Sequence, residues 1–161
     1  DHRDLHLSIR RQRQMCIRDR CLSVRNKTNN PFILDESIDS IHSFLRAFHD
    51  QAMDIINIKI SKLGGLTKSS LLRDICIELG IAMTIEDSWG GDISTAAISH
   101  LAHSTPEKLC FSSTDFNSYN SFNYAEGSPQ REKGCFSASD KPGLGVSIDE
   151  KIICVPEFEI N

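Results

Sequence analysis

The sequence predicts an α/β fold built on a parallel sheet, and three observations support this class. Short aliphatic runs alternate with amphipathic segments of helical period from Pro31 onward. Each run ends in a polar residue, at Asp35, Lys59, Asp87 and Asp115, which are 24, 28 and 28 residues apart. Strand and helix alternating at this period are typical of βαβ units with parallel strands. A (β/α)8 barrel and a doubly wound sheet both fit, because both place functional groups at the carboxyl ends of strands.

The first two units can be interpreted element by element. The first predicted strand is Phe32–Leu34, and Ser37 or Asp39 caps the helix that follows. Apolar residues at helical spacing predict the core face of that helix, namely Ile41, Phe44, Leu45 and Phe48. The second predicted strand is Asp54–Ile60, whose β-branched composition is typical of a strand buried on both faces.

Two glycines separate the second strand from its helix. Gly64 and Gly65 turn the chain, Thr67 is the predicted N-cap, and Gly80 ends the helix. The predicted core face of this helix consists of Leu71, Leu72, Ile75 and Leu79.

The later elements are a strand, a helix and a strand, followed by a change in composition. The strands are predicted at Ile81–Ile85 and Leu109–Ser112, with Asp92 capping the helix between them. Residues 116–141 are rich in Asn, Ser and Gly and predict a long surface segment. Ile152–Val155 is a candidate terminal strand.

The first 25 residues differ in charge from the rest of the chain. They hold seven arginines and three aspartates, whereas the remainder holds 11 basic and 19 acidic residues. Such a basic arm can bind nucleic acid or an anionic membrane. We favour a non-native or disordered leader, because Gln14–Arg20 resembles a translated sequencing-adapter string. The domain division is therefore a leader at 1–25, a β/α region at 26–116, and a loop with a C-terminal segment at 117–161.

Composition favours a cytoplasmic globular protein. The hydrophobic fraction of 39% and the charged fraction of 25% are ordinary for this class. Six cysteines occur without a CxxC pair, which disfavours a zinc ribbon and favours reduced thiols. No apolar run approaches the roughly 20 residues that span a bilayer. We expect neither a membrane nor a nucleic-acid partner.

Lys59 is the most informative candidate for chemistry. Desolvating an ammonium group in a buried strand is costly unless a partner or a task justifies it. A lysine whose pKa is lowered by burial or by a nearby cation can abstract a proton from carbon. Lys62 could be that cation, although we favour a solvated side chain. The alternative for Lys59 is a strand-end lysine whose head group merely reaches solvent.

Acidic residues lie at the neighbouring strand ends. Asp35 and Glu36 are adjacent carboxylates, which suit Mg²⁺ or the capping of a helix. Glu86 and Asp87 end the third strand and could bind a substrate amine or orient the lysine. Trp89, in the loop that follows, could stack on a ligand or pack beneath the loop.

These motifs together resemble the mandelate racemase and muconate lactonizing branch of the enolase superfamily. The resemblance covers Asn30 to Asn161, with matches at Asp35–Ser37, Asn57–Lys59, Lys62–Thr67 and the acidic end of the third strand. A finer resemblance is to members that act on proline derivatives, the cis-3-hydroxy-L-proline dehydratases and hydroxyproline-betaine epimerases. Its matching segments are Glu86–Ile93, Thr95–Ala97, His100–Ala102 and Ser113–Asn117.

The resemblance implies a fold and a site. The fold is the C-terminal half of a (β/α)8 barrel, in four βα units, followed by a segment that joins a capping domain. Asp35 is implied as a ligand of a catalytic Mg²⁺, Glu36 as its supporting neighbour, and Lys59 as the acid/base lysine. The residues implied as substrate-binding or supporting groups are Lys62, Glu86, Asp87, Trp89, Thr114 and Asp115.

The implied reaction removes the proton α to the carboxylate of a small-molecule substrate, followed by dehydration or epimerisation of a hydroxyproline-type amino acid. The family's second base, its first two metal carboxylates and its N-terminal capping domain have no counterpart in this sequence. We therefore expect an inactive fragment of a parent enzyme, from a superfamily whose members are often homo-oligomeric. Alternatives are another acid-sugar dehydratase, dipeptide epimerase or cycloisomerase of the superfamily, or a non-catalytic βα ligand-binding module.

Overall fold

A four-stranded parallel sheet forms the centre of the computed structural model, which describes residues 17, 19–148 and 152. Its strands are β1 (Ile33–Leu34), β2 (Ile55–Lys59), β3 (Ala82–Glu86) and β4 (Cys110–Ser113). Their spatial order, β1-β2-β3-β4, repeats the chain order. A doubly wound sheet reverses its strand order at a switch point, whereas a barrel does not. The α/β class is confirmed, and the strand order favours half of a (β/α)8 barrel.

Helices connect the strands of this sheet. They are α1 (Ile41–His49), α2 (Ile60–Leu63), α3 (Leu66–Leu79) and α4 (Asp92–His103), with 3₁₀ turns at Glu107–Leu109 and Phe116–Tyr119. The predicted surface segment contributes β5 (Ala125–Glu126), which pairs antiparallel with β6 (Ser147–Ile148). Among the helices of the described residues, none is long and apolar enough to cross a membrane.

The first helix begins with a cap that the sequence analysis placed wrongly. Ser40, and not Ser37 or Asp39, is the N-cap of α1. Its hydroxyl accepts a hydrogen bond from the Ser43 amide, and the Ser43 hydroxyl accepts one from the Ser40 amide. This reciprocal pair satisfies two backbone donors that would otherwise lack partners at the helix start.

The third helix begins one residue before the predicted start. Leu66 is its first residue and Gly65 its cap residue, so Thr67 lies inside the helix. Gly64 and Gly65 have φ angles of 93° and 104°, a left-handed backbone that residues with a side chain disfavour. Gly80 ends α3 in a left-handed conformation, as predicted.

The two faces of the sheet differ in polarity. Successive residues of a strand point to opposite faces. One face contributes Ile56, Ile58, Met83 and Ile85 to the core, where they meet helix side chains including Phe44, Leu72 and Ile98. The opposite face carries Asn57 and Lys59 on β2 and Thr84 and Glu86 on β3, in register with one another. The polar face therefore leads directly to the strand ends.

Only part of each predicted apolar helix face is buried. In α1, Phe44 is fully buried, whereas Leu45 is 46% exposed and Phe48 is 37% exposed. In α3, Leu72 is buried and Leu71 is 52% exposed. The reason is that small side chains occupy much of the contact stripe, which consists of Phe44 and Ala47 in α1 and of Ser69, Leu72 and Cys76 in α3. A prediction that considers only large apolar residues therefore misplaces the buried face of each helix.

Residues 19–25, which the sequence analysis assigned to the leader, are helical. Cys21 and Leu22 pack against the core. The Arg25 guanidinium lies 2.6 Å from the Asp54 carboxylate, which also accepts a hydrogen bond from the Phe32 amide. The rest of the leader, apart from Ile17, and all of the predicted terminal strand except Ile152 lie outside the described residues.

Phe44 and Leu45 are adjacent in sequence and offer a matched test of this packing. Phe44→Ala in the protein that contains this chain should lower the free energy of unfolding by about 3–5 kcal/mol, because it leaves a cavity in the core. Leu45→Ala should cost less than about 1 kcal/mol, because that side chain is half exposed. Urea titration followed by circular dichroism measures both values. Equal losses for the two variants would contradict the orientation of α1 described above.

Candidate active site

Charged groups from three consecutive strands meet at one end of the sheet. Asp35 and Glu36 follow β1, Lys59 ends β2, and Glu86 ends β3. The strand register places Lys59 directly beside Glu86. Because the strands are parallel, their carboxyl ends lie at the same edge, and the charged groups follow each other across it.

Lys59 is the centre of this cluster. Its Nζ lies 2.6 Å from Glu36 Oε1 and about as close to both Asp35 oxygens, at 3.0 and 3.1 Å. Glu86 Oε1 is more distant, at 3.7 Å. The lysine side chain is only 12% exposed, whereas that of Glu36 is 65% exposed. The ammonium is thus largely removed from water, with carboxylates on neighbouring strands as its partners.

The protonation of Lys59 differs from the sequence-based expectation of a lowered pKa. Burial disfavours the ammonium form, but hydrogen bonds to Glu36 and Asp35 and the charges of both residues outweigh burial and raise the pKa of Lys59. The same contacts, first with Lys59 and then with Lys62, lower the pKa of Glu36 to about 2. In this arrangement Lys59 is an ammonium group at neutral pH.

Lys62 is held in place and is not the solvated side chain that we favoured from the sequence. Its Nζ donates to the backbone oxygen of Glu36 at 2.7 Å and to Glu36 Oε2 at 2.8 Å. The short helix α2 carries Lys62 past the end of β1, so the two lysines bind the two oxygens of one carboxylate.

Glu86 is positioned by neutral hydrogen-bond donors. Asn57 Nδ2 donates to Glu86 Oε1 at 2.6 Å, and Thr114 Oγ1 lies 3.4 Å from Glu86 Oε2 in donor geometry. Thr84 Oγ1 donates to Asn57 Oδ1 at 2.7 Å. Asn57 and Thr84 are not among the site residues predicted from the sequence. The signal available was their place on the polar face of β2 and β3, with Asn57 two residues before the lysine.

Asp87 forms hydrogen bonds with neighbouring loop residues and does not join the ion cluster. It is 8% exposed, and its Oδ1 accepts hydrogen bonds from the Ser61 amide, the Ser61 hydroxyl and the Ser88 amide. This contact joins the loop after β3 to the first residues of α2. Asp87 therefore supports the backbone immediately after Lys59.

Trp89 packs against aromatic side chains, and much of it remains exposed. Its ring centroid lies 5.9 Å from that of Phe116 and 6.4 Å from that of Tyr119, yet the residue is 69% exposed. Asp115 is 6% exposed, and its Oδ1 lies 3.4 Å from the Arg131 guanidinium. The loops after β3 and β4 thus bring an open aromatic surface and a buried acid toward the same side of the sheet.

Asp92 has a different role from the predicted N-cap. It is the first residue inside α4, and Gly91 occupies the cap position. The buried Asp92 carboxylate accepts hydrogen bonds from the amides of Tyr124 and Ala125, at 2.6 and 3.0 Å. It anchors the segment after β4 against the start of α4, a long-range contact that local capping patterns do not reveal.

Asp35 has one feature of a metal ligand. Its Oδ1 is buried and, although 3.0 Å from the Lys59 ammonium, makes no hydrogen bond of proper geometry. Its charge is balanced here by the Lys59 ammonium, and a carboxylate oxygen that makes no hydrogen bond is also a suitable ligand for a hard cation such as Mg²⁺. Within the described residues, however, no three His, Cys, Asp or Glu side chains are arranged to hold a metal ion. Asp35 therefore fits a single ligand position, and the described residues do not complete a metal site.

Comparison with known proteins places this chain in a family. The model of the enolase C-terminal domain-like family matches residues 17–152, a span that includes part of the assigned leader. Cis-3-hydroxy-L-proline dehydratase of Roseibium aggregatum is 57% identical over 126 residues, which are 78% of this chain and 34% of that protein. The chain thus spans about a third of the length of this curated relative.

Solved structures agree with the sequence comparison. A mandelate racemase/muconate lactonizing enzyme from Roseovarius nubinhibens has a TM-score of 0.84 at 39% identity, over 88% of this chain and 38% of that one. A second structure from the same organism, named a putative mandelate racemase/muconate lactonizing enzyme and complexed with magnesium, has a TM-score of 0.81 at 33% identity, over 86% of this chain and 38% of that one. The chain belongs to the enolase C-terminal domain-like family, in its mandelate racemase and muconate lactonizing branch.

Proposed function

We propose that this chain forms half of the barrel of a Mg²⁺-dependent enzyme that removes the proton α to the carboxylate of a hydroxyproline-type amino acid. The observation that carries the proposal is the Lys59 ammonium held among Asp35, Glu36 and Glu86 at one edge of a parallel sheet. The 57% identity to a cis-3-hydroxy-L-proline dehydratase supports dehydration as the outcome. Further metal ligands and a second base would come from parts of the parent protein outside the described residues.

Asp35 is the residue of this chain that would hold the metal, through Oδ1, which makes no hydrogen bond here. Mg²⁺, when bound, supplies a Lewis acid that stabilises the negative charge developing on a substrate carboxylate as the α-proton leaves. Glu36 accepts a hydrogen bond from Lys59 and another from Lys62. It therefore fixes the positions of both ammonium groups at this end of the sheet.

Lys59 is the group that transfers the proton, at Nζ. As the ammonium favoured by its carboxylate neighbours, it can deliver a proton to one face of a carbanion-like substrate. To accept the α-proton it must first be neutral. If Asp35 were a metal ligand, Lys59 would lose one of the two carboxylates that stabilise its ammonium form. The pKa of Lys59 would then fall, which favours the neutral base.

The free thiols of the described residues support a location of the parent protein in the reducing cytoplasm. The described cysteines Cys21, Cys76, Cys110 and Cys135 are free. Cys76 is fully buried, and burial raises the pKa of its thiol to about 12, which keeps it unreactive. We propose a small-molecule carboxylate, rather than nucleic acid or a membrane, as the partner of the parent protein.

Replacing Lys59 tests the proton-transfer role directly. In the complete parent protein with Mg²⁺, Lys59→Met should lower the rate at which cis-3-hydroxy-L-proline loses its α-proton in D₂O, by exchange or by dehydration, by roughly 10²–10⁴-fold, because the positioned acid/base is lost. Proton NMR measures this rate. Lys68→Met, on the exposed side of α3, removes a similar charge and should leave the rate unchanged. Exchange that persists in Lys59→Met, or that occurs in the wild type only with sugar acids or dipeptides, would contradict the proposal.

Replacing Asp35 tests the metal role separately. Asp35→Asn should weaken Mg²⁺ binding to the parent protein by at least about 10-fold, since the amide oxygen is a poorer ligand for a hard cation. Isothermal titration calorimetry without substrate measures the affinity. Asp74→Asn makes the same change beside Arg73 on α3 and should not affect binding. Unchanged affinity in Asp35→Asn would remove Asp35 from the metal site.

A further inference from the structure

We propose that Glu86 recognises the ammonium group of the substrate, and that Asn57, Thr84 and Thr114 are positioning residues that hold it for this purpose. The inference rests on the proposed function, because it identifies the group that selects an α-amino acid for that reaction.

The order of the strand-end groups matches the order of groups on an α-amino acid. Asp35, Lys59 and Glu86 lie on β1, β2 and β3, which are consecutive strands about 4.8 Å apart. A substrate with its carboxylate on the Asp35 side and its α-hydrogen at Lys59 Nζ directs a third substituent toward Glu86. In an α-amino acid that substituent is the charged nitrogen, for which a carboxylate is the natural partner.

The Glu86 carboxylate is held by uncharged donors, which do not neutralise its negative charge. Asn57 Nδ2 and Thr114 Oγ1 approach its two oxygens, and both donors are neutral. Lys59 is a weak partner for it, because the 3.7 Å separation exceeds the 2.6–3.1 Å between Lys59 and the carboxylates of Asp35 and Glu36. A substrate cation therefore meets a carboxylate that is fixed in direction and not neutralised by a close ion pair.

Thr84 fixes the orientation of the Asn57 amide. Its hydroxyl donates to Asn57 Oδ1 at 2.7 Å, which leaves Nδ2 facing Glu86. The reverse orientation would place the amide oxygen against the Glu86 carboxylate, where neither group could donate. Asn57 is 7% exposed, so the unpaired amide could not turn to water.

The burial of Glu86 suits the recognition of a cation. Its side chain is 25% exposed, so it remains accessible at the carboxyl end of the sheet while most of its surface is removed from water. A partly desolvated carboxylate interacts more strongly with a cation than a fully hydrated one does. A neutral or hydroxyl-bearing substituent would leave this carboxylate without a charged partner, which disfavours substrates such as sugar acids.

A pair of ligands that differ only in charge tests the inference. One is cis-3-hydroxy-L-proline, and the other is 3-hydroxyoxolane-2-carboxylate of the same configuration, in which oxygen replaces the ring nitrogen. Isothermal titration calorimetry of the Mg²⁺-loaded parent protein should show that Glu86→Gln weakens amino-acid binding roughly 10–100-fold, because a charge-assisted contact is lost. Affinity for the oxolane should not change. Glu78→Gln, a matched change at an exposed position of α3, should alter neither affinity.

The positioning residues are tested by an isosteric variant and its conservative counterpart. Thr84→Val removes only the hydroxyl, so we expect a higher KM for the amino acid with little change in kcat, and Thr84→Ser should restore the wild-type KM. Equal weakening of both ligands by Glu86→Gln, or no weakening of either, would overturn the inference even if α-proton exchange proceeds. A wild type that neither exchanges the α-proton nor dehydrates the amino acid would instead refute the proposed function, and the binding comparison would still decide the role of Glu86.

Discussion

The ion cluster around Lys59 is the interaction on which the account depends. An ammonium that is 12% exposed would be costly without negative partners, and Asp35 and Glu36 after β1 provide the close ones, with Glu86 on β3 further away at 3.7 Å. The parallel arrangement makes this possible, because it brings the ends of β1, β2 and β3 to one edge. Removing the carboxylates would leave a buried charge, so we regard the acids and the lysine as one unit.

Two supporting contacts keep this unit in a fixed place. Asp87 holds the backbone of Ser61, two residues after the lysine, and so ties the loop after β3 to the start of α2. On the polar face of the sheet, Asn57 and Thr84 form a hydrogen-bonded row that ends at Glu86. Side chains held by their neighbours in this way are already oriented before a ligand arrives.

The sequence predicted the parts of the fold that depend on local pattern. Alternating apolar runs gave the four strands of the main sheet within one or two residues, and Gly80 marked the end of α3 because a left-handed backbone is accessible to glycine. Its errors concern contacts that local pattern does not encode. Small side chains such as Ala47 and Ser69 form much of the contact stripes of α1 and α3, and Asp92 binds amides more than 30 residues away.

The candidate site shows the same limit. The spacing of polar residues predicted strand ends at Asp35, Lys59, Asp87 and Asp115. The pKa of Lys59, however, depends on distances to carboxylates, which spacing does not contain. The positions of Asn57 and Thr84 in one row depend on the register between β2 and β3. Register and tertiary distance are therefore the information that the structure adds to the sequence.

The most direct test of the central claim is a crystal structure of the complete parent protein with Mg²⁺ and a non-reactive analogue of the substrate. The account predicts that Asp35 Oδ1 binds the metal, that the analogue's α-carbon faces Lys59 Nζ, and that its nitrogen faces Glu86. A metal ion bound away from Asp35, or an α-carbon out of reach of Lys59, would contradict it.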